Sequence, residues 1–405
     1  MVGVRPDGDS AWGESWAVAW RALLASRVLV LASGAVAVGL FGLSPRHTDF
    51  DPAGVTTPFG PLLDALVSPL ARWDSTWFMS IAQDGYGDGA REAFFPLYPL
   101  LLAVVGTTGE MLIAGAVLSS VFAAVALTVL HRLVTVDYGA DVARGAVLAM
   151  AFMPMSFFLS AVYSESLFLM LSIGAVYAAR TDRWAWAGIL GFLAATTRSA
   201  GVLLVVPLFA LWWDARGRRR PDLAWLVLVP AGVGAYCLYL WASGGDPQAP
   251  FAAQEVWFRS FAGPFAGAWD GAVAAYDGAR QLLSGSREPV FFEQAGGDPF
   301  VVARHNIELF LWLLAGLWAL ALGLRRLPLA YLAYVVVALA LPLSYPVDPQ
   351  PLMSLPRFLL VLFPLAIAVA AWAQEGRRRG PLLLGASAVL LAVYTGIFAT
   401  WHWVA

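Results

Sequence analysis

Lysine is absent from the 405 residues, so all 25 basic side chains are arginines. Charged residues make up only 13% of the chain, and the formal net charge is −2. Proteins that bind nucleic acid carry a basic surface, and a P-loop needs a lysine for its phosphates. The composition therefore argues against a nucleic-acid partner and excludes a P-loop. Arginine without lysine, with abundant Ala, Gly, Leu and Val, is typical of a GC-rich bacterial genome and predicts a bacterial source.

Cysteine is almost absent as well, since Cys237 is the only one and lies within an apolar run. One cysteine cannot form an intramolecular disulfide, and a lone thiol in such a run is usually a small apolar side chain. The four histidines (His47, His131, His305 and His402) show no metal-ligand spacing. The sequence predicts no metal site and no cofactor.

Hydrophobic residues are abundant at 60% of the chain, and the mean hydropathy is +0.71. Soluble proteins have about 45–50% apolar residues, so this excess predicts an all-α, polytopic transmembrane bundle forming a single domain over 1–405. A spanning helix needs about 20 apolar residues. About eleven segments approach that length: 20–43, 111–130, 141–161, 165–180, 184–197, 200–214, 222–242, 305–324, 328–345, 357–374 and 381–402.

Arginine placement orients these spans, because short cytoplasmic loops carry excess basic residues. The clusters are Arg132, Arg180 with Arg183, Arg216 to Arg220, Arg325 with Arg326, and Arg377 to Arg379. Placing them inside leaves two long polar segments, 44–110 and 243–304, on the outer face. Within the first loop, the tryptophans of Ser68 to Ile81 predict an interfacial helix. The apolar run Phe94 to Val105 is too short to span and predicts an interfacial or re-entrant helix.

Acidic residues near the outer face are the first candidates for chemistry. Asp74 lies between Trp73 and Trp77, where a lipid headgroup and a water-soluble molecule can meet, and a carboxylate there can act as a general base. Spacing alone favours a solvated loop aspartate over a catalytic one. Glu92 can orient a substrate hydroxyl or stabilise a helix N-terminus. Glu165, between two spans, can line a polar cavity or satisfy a turn.

Three arginines fall on the outer face, against the positive-inside trend: Arg198, Arg259 and Arg357. Guanidinium groups bind phosphate through a rigid fork of donors. Each alone can be explained by snorkelling towards a lipid headgroup. Three on one face predict a phosphate-binding site.

Several sequence blocks resemble the PIG-V mannosyltransferases, which add the second mannose to glycosylphosphatidylinositol precursors. The blocks, in order, are Trp73-Asp74-Ser75, Gly85-Tyr86, Glu92 to Pro99, Tyr163 to Phe168, Arg198 to Gly201, Gln254 to Arg259 and Leu355 to Phe358. The resemblance runs from about residue 70 to about 365 and implies a membrane glycosyltransferase of the GT-C class. It implies that Asp74 is the functional carboxylate of the first external loop. It also implies substrate-binding candidates: Trp73, Glu92, Tyr163, Glu165, Arg198, Gln254, Trp257, Arg259 and Arg357.

The resemblance implies a polyprenyl-phosphate-sugar donor, mannose as the sugar, and a glycolipid or glycoprotein acceptor in the cell envelope. Asp74 would deprotonate the acceptor hydroxyl, and arginines would hold the phosphate leaving group. A single displacement would invert the anomeric centre. The predicted location is a bacterial plasma membrane with the site facing outwards, in contact with membrane lipid.

Two other functions remain open from sequence. A transporter or lipid flippase has the same hydropathy profile, but its ionisable groups are expected near the bilayer midplane in broken helices. Here the polar residues gather at the outer ends of the spans and in the two long loops, which favours chemistry at the interface. Substrate counterflow without sugar transfer would favour the transporter. A structural subunit of another membrane enzyme is the third interpretation.

Overall fold

The computed structural model describes residues 9–45, 47–51, 54–87, 89–106, 111–215, 220–286, 298–347 and 350–404. Within these ranges the chain is helical, and the one extended pairing is an isolated bridge between Arg259 and Val347. The predicted all-α class is confirmed.

Eighteen α-helices occur in the described ranges, several joined by short 3₁₀ turns. In chain order they are α1 Asp9–Phe41, α2 His47–Phe50, α3 Pro61–Val67, α4 Asp74–Asp84, α5 Leu97–Val105, α6 Met111–Tyr138, α7 Ala140–Ala151, α8 Glu165–Arg180, α9 Trp184–Ala195, α10 Val205–Asp214, α11 Leu228–Ala242, α12 Ala249–Ala252, α13 Ala266–Ser284, α14 Pro299–Gly323, α15 Leu329–Ser344, α16 Leu355–Leu360, α17 Phe363–Gln374 and α18 Arg379–Ala399.

Five described helices are long and apolar enough to cross a membrane: Ala11–Phe41, Met111–Tyr138, Arg220–Ala242, Pro299–Gly323 and Arg379–Ala399. The apolar helices Trp184–Ala195, Ser199–Asp214, Leu329–Ser344 and Phe363–Gln374 are shorter. The structure thus supports a multi-helix apolar bundle, and the count of eleven spans stays a prediction.

Most of the predicted cytoplasmic arginine clusters gather at one end of the bundle. Arg180, which ends α8, contacts Asp137 near the end of α6, and the Tyr331 hydroxyl donates to the same aspartate at 2.8 Å. Arg326 and Glu375 lie 2.6 Å apart between α14 and α17. Glu165 begins α8, so it lies at the opposite end from Arg180. Of the remaining cluster, residues 216–219 lie outside the described residues.

The predicted span 141–161 is not one continuous helix. Helix α7 ends at Ala151, and a 3₁₀ turn over Ser156–Leu159 follows. Pro154 explains the break, because proline has no N–H donor and clashes with the preceding turn. Arg27 of α1 stabilises the break: its guanidinium donates to the Ser156 carbonyl at 2.6 Å and to the Ser160 hydroxyl at 2.9 Å.

Arg27→Met is expected to destabilise the bundle by about 3 kcal/mol, since several polar groups of the break would lose their donor. Arg27 is 8% exposed, so water cannot replace it readily. The measurement is the melting temperature of the purified protein in detergent. Arg144→Met is the matched control, because Arg144 is half exposed and pairs with Glu14 at the surface. Equal melting temperatures for the two variants would contradict this role.

The first loop departs from the predicted interfacial helix over Ser68 to Ile81. A 3₁₀ turn covers Ser68–Leu70, the chain is non-helical over the next three residues, and α4 begins only at Asp74. Trp73, the last residue of the break, has a positive φ of 54°. The helical spacing of apolar residues carries no information about such a backbone conformation, so it cannot reveal the break. The break places Asp74 at the N-terminus of a helix instead of in its middle.

Helix α5 has nine residues, which corresponds to about 14 Å of helix and is too short to span a bilayer of roughly 30 Å. Its Tyr98 hydroxyl lies 2.8 Å from the Ser119 hydroxyl of α6, and the Leu97 N–H donates to the Thr196 carbonyl at 3.0 Å. The segment therefore packs among other helices, as a re-entrant element would.

The second loop contributes α13, which packs closely against α14. Gly278 lies where an added Cβ would be 2.6 Å from the Ala303 carbonyl oxygen, so only glycine allows this approach. Residues 287–297, within the same loop, lie outside the described residues. Together the two loops cover the end of the bundle that carries Asp74.

Candidate active site

A large cavity of about 2270 Å³ lies at the end of the bundle that carries Asp74. Ligand pockets usually hold about 300–1,000 Å³, so this cavity has room for two substrates. Residues from the first loop, the second loop and six or more helices line it. Nine of the ten predicted site residues are among them: Trp73, Asp74, Tyr163, Glu165, Arg198, Gln254, Trp257, Arg259 and Arg357.

Asp74 is positioned by an unusual backbone conformation at the preceding residue. Trp73 has φ 54° and ψ −116°, which a bulky L-residue rarely adopts. Strained backbone of this kind costs about 1–3 kcal/mol and clusters at functional sites. Asp74 is the first residue of α4, and its backbone N–H donates to the Tyr163 hydroxyl at 3.1 Å.

The residues around Asp74 are held from two sides. The Tyr163 hydroxyl donates to the Arg72 carbonyl at 3.0 Å, and burial followed by the Asp74 charge raises the pKa of Tyr163 well above its ordinary value. Tyr163 is therefore a neutral phenol. The Arg72 side chain is buried and donates to the Ala399 carbonyl at 3.0 Å. These contacts fix the turn before α4.

Three of the predicted residues form an ion-pair network with Asp74. Arg357 contacts the Asp74 carboxylate, and its Nε lies 3.4 Å from Glu165 Oε1. Arg198 lies 2.5 Å from the same Glu165 oxygen. Glu165 is only 1% exposed, and its second oxygen, Oε2, has no hydrogen-bond partner among the described residues. Glu165 therefore fixes two guanidinium groups at the cavity wall.

Arg259 is the third predicted arginine, and its hydrogen-bond partners among the described residues are backbone carbonyls. It donates to the backbone carbonyls of Tyr345 at 3.2 Å and Met353 at 3.1 Å. Burial and the neighbouring Arg357 charge lower the pKa of Arg259 to about 10, so it stays protonated at neutral pH. Backbone carbonyls satisfy its donors without neutralising its charge.

Phe358 is the common neighbour of the three arginines. The guanidinium carbons of Arg198, Arg259 and Arg357 lie 5.7, 5.7 and 5.9 Å from its ring centroid. Three arginines and two carboxylates in this cluster leave one net positive charge. An anion is the ligand that such a cluster would bind.

Aromatic side chains extend the cavity on both sides of Asp74. On one side, Trp257 lies edge-on to Trp77 with ring centroids 5.9 Å apart. On the other side, Trp73 lies 4.6 Å from Phe50 and 5.0 Å from Trp403, measured between ring centroids. Gln254 lies in the same 3₁₀ turn as Trp257. The arrangement provides flat apolar surfaces next to polar groups.

Glu92 is the one predicted residue that does not line the cavity. It lies in a 3₁₀ turn over Arg91–Ala93, and its carboxylate oxygens are near Gly89 and Gly245. The Tyr236 hydroxyl donates to the Glu92 backbone carbonyl at 3.0 Å. The structure gives Glu92 a place in the loop framework and not beside Asp74.

His305 and Trp403 also line the cavity, although no sequence pattern predicts this. His305 shows no metal-ligand spacing, and no spacing connects either residue to the first loop. Phe358 ends the block Leu355 to Phe358, and the sequence alone indicates no role for it. A tryptophan near the chain's last described residue has no local signal that would place it beside Trp73.

Metal binding has no support among the described residues, where no group of three His, Cys, Asp or Glu side chains comes together. Asp49 and Asp51, two residues apart in the first loop, illustrate this. Asp51 is buried, and its carboxylate accepts hydrogen bonds from the Val55 N–H at 2.9 Å and from Thr56. Asp51 therefore shapes the loop.

Comparison with known proteins identifies a family resemblance over part of the chain. Residues 50–210 match the family described as mannosyltransferase (PIG-V), which confirms the predicted resemblance in that segment. The rat protein named GPI alpha-1,6-mannosyltransferase 2 is 35% identical over 156 residues, covering 36% of this chain and 32% of the rat protein. The human protein of that name is 34% identical over 158 residues, with the same coverage of each chain. The alignments thus span about a third of the relatives' length.

Proposed function

Because residues 50–210 match the PIG-V mannosyltransferases, we propose that this chain is a membrane glycosyltransferase. It transfers a hexose, mannose by resemblance, from a polyprenyl-phosphate sugar to a lipid-linked or cell-envelope acceptor. The observation that carries the proposal is the contact of Asp74 with a cluster of three arginines inside one large cavity. Such a site combines a base with an anion-binding surface.

Charge balance supports a phosphodiester donor. The described cluster carries one net positive charge, and a polyprenyl-phosphate sugar carries one negative charge at its phosphodiester. Binding would therefore leave the cluster near neutral. A neutral cluster is favoured because burying an uncompensated charge costs free energy. A nucleotide-sugar donor carries more charge and is usually held with a divalent cation.

The reaction would proceed by a single displacement. The acceptor oxygen forms a bond to the anomeric carbon, the bond from that carbon to the phosphate oxygen breaks, and its electron pair stays on the phosphate. Asp74 takes the acceptor proton as it loses its negative charge, while the phosphate gains one. The total charge of the cluster then stays constant, and inversion at the anomeric carbon follows.

Arg357 has a second part in this proposal. In the structure its guanidinium pairs with the Asp74 carboxylate. Donor phosphate would compete for the same guanidinium and release Asp74 towards the acceptor hydroxyl. Binding of the donor would in this way prepare the base for the reaction.

Apolar residues of α1 and α18 would accompany the lipid part of the donor. Val36 and Val393 line the cavity, and they are also 58% and 51% exposed on the surface of the bundle. A polyprenyl chain lying along them would remain in contact with membrane lipid. With eleven spans and the arginine-rich end inside, the site would face the non-cytoplasmic side of a bacterial plasma membrane.

The proposed function can be tested by mass spectrometry of envelope glycolipids and glycoproteins from cells lacking the gene. One class is expected to lose a single hexose and regain it when the wild-type gene is restored. The mass of that species would identify the acceptor. An unchanged glycolipid and glycoprotein profile would count against the proposal.

Arg259→Met is expected to weaken donor binding about 10- to 100-fold without unfolding the protein, since a charged hydrogen-bond donor contributes about 1.5–3 kcal/mol. Its removal leaves no carboxylate unpaired. The measurement is the KM for polyprenyl-phosphate-mannose. Arg280→Met on α13 is the matched control, because Arg280 is 69% exposed and lies outside the cavity lining. An unchanged donor KM in Arg259→Met would remove this arginine from the phosphate site.

A further inference from the structure

One part of the cavity wall has no role in the proposed displacement. It is formed by the start of α14, the loop before α16 and the segment after α18. His305, Gln350 and Trp403 come from these three elements and line the cavity together. Trp73 connects this wall to Asp74, which follows it in sequence.

His305 presents a buried donor that forms no well-aligned hydrogen bond within the described part of the chain. The ring is 8% exposed, and the Gln350 side-chain amide lies 2.9 Å from its Nδ1. An amide nitrogen only donates, so Nδ1 accepts and Nε2 carries the ring hydrogen. Nε2 is buried near the Val404 backbone but forms no hydrogen bond of good geometry among the described residues. Buried donors are normally paired, so this one requires an explanation.

Two indole groups that line the same cavity share this property. The Nε1 atoms of Trp73 and Trp403 are buried and have no hydrogen-bond partner among the described residues. The two rings are perpendicular, with centroids 5.0 Å apart. Buried tryptophan usually pairs its N–H, because the indole combines an apolar face with one polar group. The wall therefore has three neutral donors and adjacent apolar ring faces.

We propose that this wall binds the hydroxylated, sugar-like headgroup of the acceptor. The inference rests on the proposed transferase function. Neutral donors suit hydroxyl oxygens, whereas the arginine cluster suits phosphate. The ring faces suit the apolar C–H faces of a pyranose. Glu308 also lines the cavity, one turn after His305, and can accept a hydrogen bond from a hydroxyl.

The position of the wall along the chain bears on specificity. The match to the mannosyltransferase family ends at residue 210, whereas His305, Gln350 and Trp403 all follow it. Asp74, Glu165 and Arg198 lie within the matched segment. The proposed base Asp74 is thus in the matched segment, whereas Arg259, Arg357 and the residues His305, Gln350 and Trp403 lie in the part that the match does not cover.

The test compares His305→Phe and Trp403→Phe with the wild-type protein in detergent. Each variant keeps an aromatic ring but loses an N–H donor. The donor is a short-chain polyprenyl-phosphate-mannose, and the probe acceptors are n-octyl α-mannoside and methyl α-mannoside. Each variant is expected to raise the KM for the acceptor about tenfold, because it loses roughly one hydrogen bond to the acceptor. The KM for the donor is expected to stay unchanged. His305→Gln, which keeps a donor, is expected to recover part of the loss.

Comparing the two acceptors distinguishes a lipid-linked headgroup from a soluble glycan. Preference for the octyl glycoside would support the wall and identify a glycolipid, while equal use of both would support it with a soluble glycan. His131→Phe is the control, because His131 is also buried but contacts Ser15 near the other end of the bundle. An unchanged acceptor KM in both variants, or an equal rise in the donor KM, would overturn the inference.

Failure of the proposed function would give a different result. In that case the wild-type protein would neither transfer mannose nor hydrolyse the donor. If the wild-type protein hydrolyses the donor but transfers mannose to neither glycoside, the transferase chemistry stands and the headgroup inference fails.

Discussion

Asp74→Asn protein is expected to fold as the wild type does and to transfer sugar about 10²–10⁴ times more slowly, which is the usual contribution of a general base. Asparagine has the same shape and can still accept a hydrogen bond from Arg357. It cannot take a proton from the acceptor hydroxyl. The measurement is kcat for mannose transfer, with the melting temperature as the test of folding.

Asp49→Asn is the matched control for this variant. Asp49 lies in the same loop and lines the same cavity, but it is exposed and no arginine pairs with it in the described contacts. Its amide variant is expected to keep the wild-type rate. If Asp74→Asn keeps the wild-type rate, the assignment of the base is wrong.

Arg357→Met is expected to have the second-largest effect, because it changes both chemistry and stability. Arg357 is 12% exposed and contacts Asp74 and Glu165. Removing one partner of a buried ion pair costs about 3–5 kcal/mol. Loss of a donor that stabilises developing charge lowers kcat by about 10²–10³. A lower melting temperature and a lower rate are therefore expected together.

A double variant separates the two effects. Arg357→Met combined with Asp74→Asn removes the unpaired charge, so its melting temperature is expected to exceed that of Arg357→Met alone. Its rate is expected to stay low. Arg326→Met is the control at the opposite end of the bundle, where the pair with Glu375 is more exposed and contributes less. A double variant with restored activity would contradict the proposed roles of both residues.

Much of the fold could be predicted from sequence because lipid imposes strong patterns. Long apolar runs predicted the helical class, and arginine clusters such as Arg180 and Arg326 predicted which helix ends lie together. The helix break after Ala151 was missed, although Pro154 gave a local signal for it. The predicted interfacial helix over Ser68 to Ile81 was wrong at its centre, because spacing cannot show that Trp73 has a positive φ.

The site residues that could be predicted from sequence were those whose charge conflicted with the predicted membrane topology. Arg198, Arg259 and Arg357 conflicted with the positive-inside trend, and the structure places all three around Phe358. Their role in binding phosphate stays a prediction. His305 showed no such conflict in sequence, since its significance depends on Gln350, a contact between distant parts of the chain.

Glu92 shows the limit of carrying a sequence block onto a structure. It precedes the apolar residues of α5 within a block that resembles the family, yet its carboxylate lies outside the cavity lining. A residue of such a block can shape the loop without lining the cavity. Asp74 differs because an ion pair with Arg357, a hydrogen bond from its backbone to Tyr163 and a strained neighbour together direct it to the cavity.

The most direct measurement is mannose transfer by the purified protein in proteoliposomes, followed by analysis of the product. The protein is predicted to use polyprenyl-phosphate-mannose and not GDP-mannose, to give a product of inverted anomeric configuration, and to lose this activity in Asp74→Asn. Transfer from GDP-mannose at an equal rate, or full activity in Asp74→Asn, would contradict the account.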